Sequence, residues 1–257
     1  MSNNFNNFTK RVVSLGDKIN GYTAKIQCLS GAWLKIVAMV SMLIDHINKA
    51  LIYPILTSAH GFLPTLSNIF DKIGRIAFPI FCFLLVEGFF KTHNRKKYLL
   101  NLLIFGVISE VPFDMCTTAS FFDKNWNNIM FSLALVLVTI WVIDILKEKM
   151  KNMPTIVWLL VCVVIVAPIC LLSSILGLDY ESYAILIGCF FYLFYNYRFL
   201  GAALGFATMI SQPWSILGFG LTMTYNGKRG RQIKMLSYWF YPVHLLIIGM
   251  IRMILKI

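Results

Sequence analysis

The chain has 257 residues, 58% hydrophobic and only 13% charged, with a mean hydropathy of +0.73. An ordinary soluble domain is about 45–50% apolar and about 25% charged, so this composition excludes a protein wetted on every face and makes lipid its solvent. Lysine and arginine number 23 against 11 acidic residues; in a membrane protein that excess belongs to cytoplasmic loops, and no nucleic-acid partner is expected.

Residues 1–30 are polar and basic, lack the apolar stretch of a signal peptide, and read as a cytoplasmic tail, partly helical on anionic lipid. Residues 31–257 read as one membrane domain. A spanning helix needs about 20 mostly apolar residues. Spans are predicted near 33–55, 73–91, 97–112, 128–146, 154–173, 182–197, 198–211, 212–226 and 235–256. Residues 199–227 carry no charge and are divided at Ser211-Gln212-Pro213, because proline disfavours helix at the residue before it; one tilted helix there is the alternative. No internal repeat is visible. The fold class is all-α, a polytopic transmembrane bundle of about nine helices.

With the N-terminus inside, the cytoplasmic segments hold Lys10, Arg11, Lys18, Lys25 and Lys35, then Lys91, Arg95, Lys96 and Lys97. They continue with Lys147, Lys149 and Lys151, then Arg198, then Lys228, Arg229, Arg231 and Lys234. The intervening loops are poor in both residues, as the positive-inside rule requires. The expected location is the cell (plasma or inner) membrane, with the N-terminus cytoplasmic. The six cysteines show no zinc or redox spacing, and no metal is expected.

Ionisable residues inside a span are costly and face a cavity or a partner. The first span carries Asp45, His46, Asn48 and Lys49. Asp45 and Lys49 are four apart in the favourable order for a pair, while His46 lies about 20 Å along the helix, near the membrane centre. In the last span Tyr241-Pro242-Val243-His244 sets His244 at a similar depth, about 14 Å in from the cytoplasmic side, which suggests a shared cavity. Arg75 either snorkels to water or binds substrate. Glu87 lies near Lys91 and suits an ion pair. Glu110 and Asp114 flank Pro112 at an outer boundary, either solvated or holding a cationic acceptor. Lys228 and Arg229 follow Asn226-Gly227, where glycine lets backbone amides approach an anion.

Five stretches together resemble the TraX family of membrane proteins, whose founding role is N-terminal acetylation of conjugative pilin. They are Ile44-Asp45-His46; Gly74-Arg75-Ile76-Ala77-Phe78-Pro79-Ile80-Phe81 running on to Glu87-Gly88-Phe89; Ile108-Ser109-Glu110-Val111-Pro112-Phe113; Tyr225-Asn226-Gly227-Lys228-Arg229-Gly230; and Phe240-Tyr241-Pro242-Val243-His244-Leu245. The resemblance implies a multi-helix membrane acyltransferase that uses acetyl-CoA as co-substrate, with His46 central. On that reading His46, Asp45 and His244 are the catalytic candidates. Arg75, Glu87, Glu110, Asn48 and Tyr241 are the substrate-binding candidates, and Lys228 and Arg229 hold the donor's phosphates.

A histidine unperturbed near pKa 6.5 suits deprotonation of an α-amine of pKa about 7.7–8.0. The expected acceptor is the N-terminal amine of a pilin or exported peptide, entering past Arg75 and Glu110. Two rivals stand beside this: an O-acetyltransferase acting on a cell-surface polysaccharide, and a non-enzymatic proton-coupled transporter using Asp45, His46, Glu87 and His244 as a relay.

Overall fold

A computed structural model describes residues 14, 16, 18, 19, 21–58, 61–231 and 234–257. Of the tail expected over residues 1–30, positions 1–13, 15, 17 and 20 lie outside the described residues, Lys10 and Arg11 included. Among those described there is no strand, only isolated bridges. Among the described residues from Gly31 onward ten α-helices follow in order: α1 (Gly31–Ile47), α2 (Phe62–Gly74), α3 (Ala77–Lys91), α4 (Arg95–Thr117), α5 (Ile129–Lys149), α6 (Thr155–Ile175), α7 (Glu181–Leu193), α8 (Arg198–Thr208), α9 (Ser215–Met223) and α10 (Lys234–Leu255). A π-helical turn, Asn48–Ile52, and a 3₁₀ turn, Tyr53–Ser58, extend α1.

Among the described residues six helical segments are long and apolar enough to cross a bilayer: Gly31–Leu56, Phe62–Lys91, Arg95–Thr117, Ile129–Lys149, Thr155–Ile175 and Ser237–Leu255. The protein is an integral membrane helix bundle. The last three of the nine predicted spans before α10 are shorter than predicted. Helices α7, α8 and α9 have 13, 11 and 9 residues, about 20, 16 and 14 Å of helix against a hydrocarbon layer of about 30 Å. They pack on one another and on α3 and α5, so their loops meet protein rather than bare lipid, the condition under which interrupted helices survive at membrane depth. The break at Ser211-Gln212-Pro213 is present, between Thr208 and Ser215, which rules out one tilted helix.

Two boundaries also differ. The predicted 73–91 span begins at Phe62 and breaks at Arg75-Ile76; Pro64, Asn68, Asp71 and Lys72 dilute the hydropathy of its first half. Helix α4 runs through Pro112 to Thr117 instead of stopping at 112.

Side chains fix several helix starts. Ser30 accepts from the Trp33 N–H, Asn94 from the Lys97 N–H at 2.8 Å, and Asn128 from the Met130 N–H at 3.0 Å, each satisfying a donor that the first turn leaves orphaned. Helix α3 is buried on nearly every face, from Ala77 and Phe78 through Leu85, Val86 and Phe89, as a helix apolar all round should be. Only Cys162, Val166 and Ser173 of α6 are buried, which leaves that helix at the lipid rim.

The basic loops gather at one end. Lys91 donates to Gly227 O and Tyr225 Oη, Arg198 donates to Tyr225 O at 2.8 Å, and Arg95 pairs with Asp144 at 2.6 Å, which also accepts from Tyr192 Oη. The carbonyls of Lys228 and Arg229 accept from the Gly31 and Ala32 N–H groups, each at 2.9 Å, so this loop caps α1. At the opposite end the Asn127 N–H donates to Gly177 O and the Asp179 N–H to Asn127 O, while Arg252 donates to Cys116 O and Thr117 O.

Gly177 turns that second loop at φ 57°, where a Cβ would strike the Asn125 carbonyl. Gly177→Ala should therefore destabilise the protein by about 1–3 kcal/mol, read as a lowered thermal midpoint in detergent by tryptophan fluorescence. An unchanged midpoint would show the loop to be slack.

Candidate active site

Lys35, Met39, Met42, His46 and Lys49 recur every three or four residues and form one stripe along α1 and its π turn. The stripe lines a cavity of about 420 Å³, closed by Gly74, Phe78 and Phe81 around α3, Tyr98 and Thr117 of α4, Met130 of α5 and Tyr238 and Tyr241 of α10. Tyr98 and Thr117 stand about 28 Å apart along α4, so the cavity reaches from the basic end almost to the opposite one. Lys35 and Ser237 line it at the basic end; Trp126, Asp179 and Tyr180 line it at the other.

The last spanning helix meets the first at this cavity. His46 Nδ1 lies 2.7 Å from His244 Nε2, with the rings stacked at 5.0 Å. His244 Nδ1 lies 2.6 Å from Phe240 O. A carbonyl only accepts, so His244 Nδ1 carries a hydrogen; in the neutral ring its Nε2 must accept, and His46 Nδ1 must donate. The relay leaves the lone pair on His46 Nε2, an atom with no hydrogen-bond partner among the described residues, on a residue that lines the cavity. His244 is 6% exposed and stands behind His46, serving as its acceptor. The π turn immediately after His46 has the Tyr53 N–H donating to Asn48 O, a wide-turn bond of the kind found near functional sites.

Asp45 also lines the cavity and pairs with Lys49 at 2.7 Å. Its Oδ1 is buried without a hydrogen-bond partner and packs on Gly74, where any side chain would collide with it. Tyr241 is buried in the wall, its ring 6.4 Å from that of His46.

The other candidates lie elsewhere. Asn48 donates to Ser67 O at 3.1 Å and does not reach the cavity. Arg75 pairs with Asp71 and donates weakly to Gln212 at 3.4 Å. Glu87 pairs with Lys91 at 2.9 Å and accepts from Tyr225 Oη at the basic end. Glu110 accepts from Asn128. Neither Arg75 nor Glu110 lines the cavity; at that end its lining is Trp126, Asp179 and Tyr180. Lys228 and Arg229 sit on the exposed capping loop; Arg229 is close enough to Lys35 for their charges to interact, and Lys35 is the cation that lines the mouth.

Lys35 and Asp179 line the cavity, and neither stands among the candidates the sequence offered. The spacing of Lys35 to His46 along one helical face was a readable sign; nothing local marks Asp179. Its backbone is held on both sides, the N–H by Asn127 O and the carbonyl by Ser132 Oγ at 2.6 Å. Burial pushes its carboxyl up to about 6; Asp45 adds to the rise, and Lys49, the Tyr180 N–H and Arg75 oppose it. Among the described residues no group of three His, Cys, Asp or Glu side chains could hold a metal.

Residues 30–252 match the family model described as TraX protein. Over 256 aligned residues the chain is 28% identical to a protein of Dichelobacter nodosus named probable fimbrial assembly protein FimC, serogroup H1, covering 87% of this chain and 96% of that one. No solved structure matches it. The paired histidines and every cavity residue fall inside the matched stretch, and the chain belongs to the TraX family.

Proposed function

We propose that the protein is a membrane acetyltransferase that moves an acetyl group from cytoplasmic acetyl-CoA to the N-terminal amine of a pilin or exported peptide on the other side. One observation carries this reading: an imidazole with a free ring nitrogen, its tautomer set by a second imidazole, faces a cavity lined from both ends of the bundle. A packing histidine needs no such cavity, and a base for acyl transfer needs both features.

The basic end supports a cytoplasmic orientation for the N-terminus and donor. Lys35 at the mouth, with Arg229 close by, suits the phosphates of the donor as fixed positive charges, and the Met39, Met42, Phe81 and Leu85 walls suit an uncharged thioester arm. The fimbrial name of the relative supports a pilin-like acceptor over a polysaccharide.

In the reaction the acceptor nitrogen attacks the thioester carbonyl as His46 Nε2 takes its proton. The N–C bond forms, the C–S bond breaks, and the proton passes from His46 to the leaving thiolate. Through Nδ1–H the transient imidazolium donates to His244, which Phe240 O holds in the accepting tautomer.

His46→Ala should lower transfer from labelled acetyl-CoA to a free-amine peptide by about 10²–10⁴ in liposomes, and His244→Ala should lower it less. Full transfer by purified His46→Ala would refute the assignment. Lys35→Ala should raise KM for acetyl-CoA about tenfold, an effect that added salt reproduces in the wild type; an unchanged KM would remove Lys35 from the donor's path.

A further inference from the structure

The charges at the mouth away from the basic end do not balance. Asp45 is paired with Lys49, and Arg75 with Asp71. Asp179 lines the same cavity, and among the described residues its carboxylate forms no ion pair. The groups that interact with it are Asp45, Lys49 and Arg75, the adjacent Tyr180 and, from α10, Tyr241. Once the two pairs are set aside, one negative charge, that of Asp179, faces the cavity at this mouth, with Lys35 at the opposite end.

The loop that presents this charge is strained and tied by hydrogen bonds. Tyr180 and Glu181 adopt φ 60° and 39°, which non-glycine residues rarely do. Tyr180 is held there by stacking on Phe78 at 3.6 Å, and the Asp179 backbone is tied to Asn127 and Ser132. Such strain persists only where surrounding contacts over-determine it, and it concentrates at functional sites. Trp126, Tyr180 and Tyr241 line the same cavity as the carboxylate, and Tyr180 and Tyr241 are close enough for their hydroxyls to interact with its charge. An anion amid aromatic rings is the chemistry that recognises an ammonium ion.

Resting on the acyl-transfer reading above, we propose that Asp179 is the residue that selects the acceptor, binding the α-ammonium of an incoming peptide in the cavity ahead of His46 and so favouring amines over hydroxyls. At neutral pH most of an α-amine of pKa about 7.7–8.0 arrives protonated, whereas a hydroxyl brings no charge for Asp179 to meet. The ammonium loses one proton to water at this mouth; the amine then attacks the thioester, and its second proton leaves through His46 to the thiolate. Ammonium and acetyl thioester thus yield amide, thiol and one released proton. The assignment also gives the Asp45–Lys49 pair a role: it keeps Lys49 from neutralising Asp179.

The experiment measures binding separately from turnover. Full-length protein in nanodiscs is equilibrated with a labelled peptide bearing a free N-terminus and with its N-acetylated twin. Wild type should prefer the free amine about tenfold or more, and Asp179→Asn should weaken that peptide alone by about ten- to thirtyfold. Asp179→Glu, which keeps the charge, should restore most of the preference and guards against a folding defect. The preference should fade as pH drops through about 6, because the carboxylate is neutralised while the peptide stays cationic, and Asp179→Asn should show no such step. An Asp179→Asn protein that still prefers the free amine would overturn the inference. Asp179-dependent binding with no acetylation in the wild type would instead count against acyl transfer and leave the recognition site standing.

Discussion

A hydrogen bond of 2.7 Å between His46 and His244 joins the first long helix of the membrane domain to the last. Each imidazole carries polar nitrogens that hydrocarbon cannot satisfy, and an unsatisfied buried polar group costs several kcal/mol. The cheapest solution is for each ring to partner the other and for Phe240 O to take the remaining hydrogen. That solution holds α10 beside the π turn and leaves one nitrogen of His46, a cavity-lining residue, without a partner among the described residues. Most cavity residues stand on helices that this contact holds in place or that pack against them.

The basic end does two jobs with one set of residues. Lysines and arginines kept on one side of the bilayer by topology also organise the loop after α9: Lys91 and Arg198 bind its carbonyls, and its own carbonyls cap α1. The loop that bears Lys228 and Arg229 is thereby fixed next to the α1 stripe that begins at Lys35. Glu87 serves this scaffold, neutralising Lys91 and accepting from Tyr225, which explains a carboxylate that is 6% exposed yet remote from the histidines.

The short helices have a comparable logic. Helices α7, α8 and α9 are too short to cross the bilayer singly, yet Gly188, Gly205 and Gly218 let them approach Val136, Phe219 and the Ile76 carbonyl closely. Small residues at such contacts replace the missing hydrophobic drive between helices in lipid with van der Waals packing. Their stacking against α3 keeps that helix central and buried, and the loop before α7 brings Asp179 to the cavity mouth.

Hydropathy and charge alternation made the membrane class, the helical fold and the basic end legible from residues in order, because each is a sum over neighbours along the chain. The family resemblance was equally local, carried by short stretches around His46, Arg75, Glu110, Lys228 and His244. Even the short α7 to α9 read as full spans, since apolar composition does not reveal that a segment is sheltered by protein. What the chain order could not supply was direction. Whether Glu110 meets Asn128 or a substrate, and whether Asn48 reaches inward, depend on how the next segment of chain, 18 or 19 residues on, packs back, and Arg75 turns to Asp71 one turn earlier instead of to the cavity. Asp179, in an unremarkable loop, enters the cavity only because Asn127 and Ser132 fix its backbone there. The sequence alone determined the solvent and the two histidines; tertiary packing decided which polar groups share a cavity, because a side chain's partner is set by the helix opposite it rather than by the residue beside it.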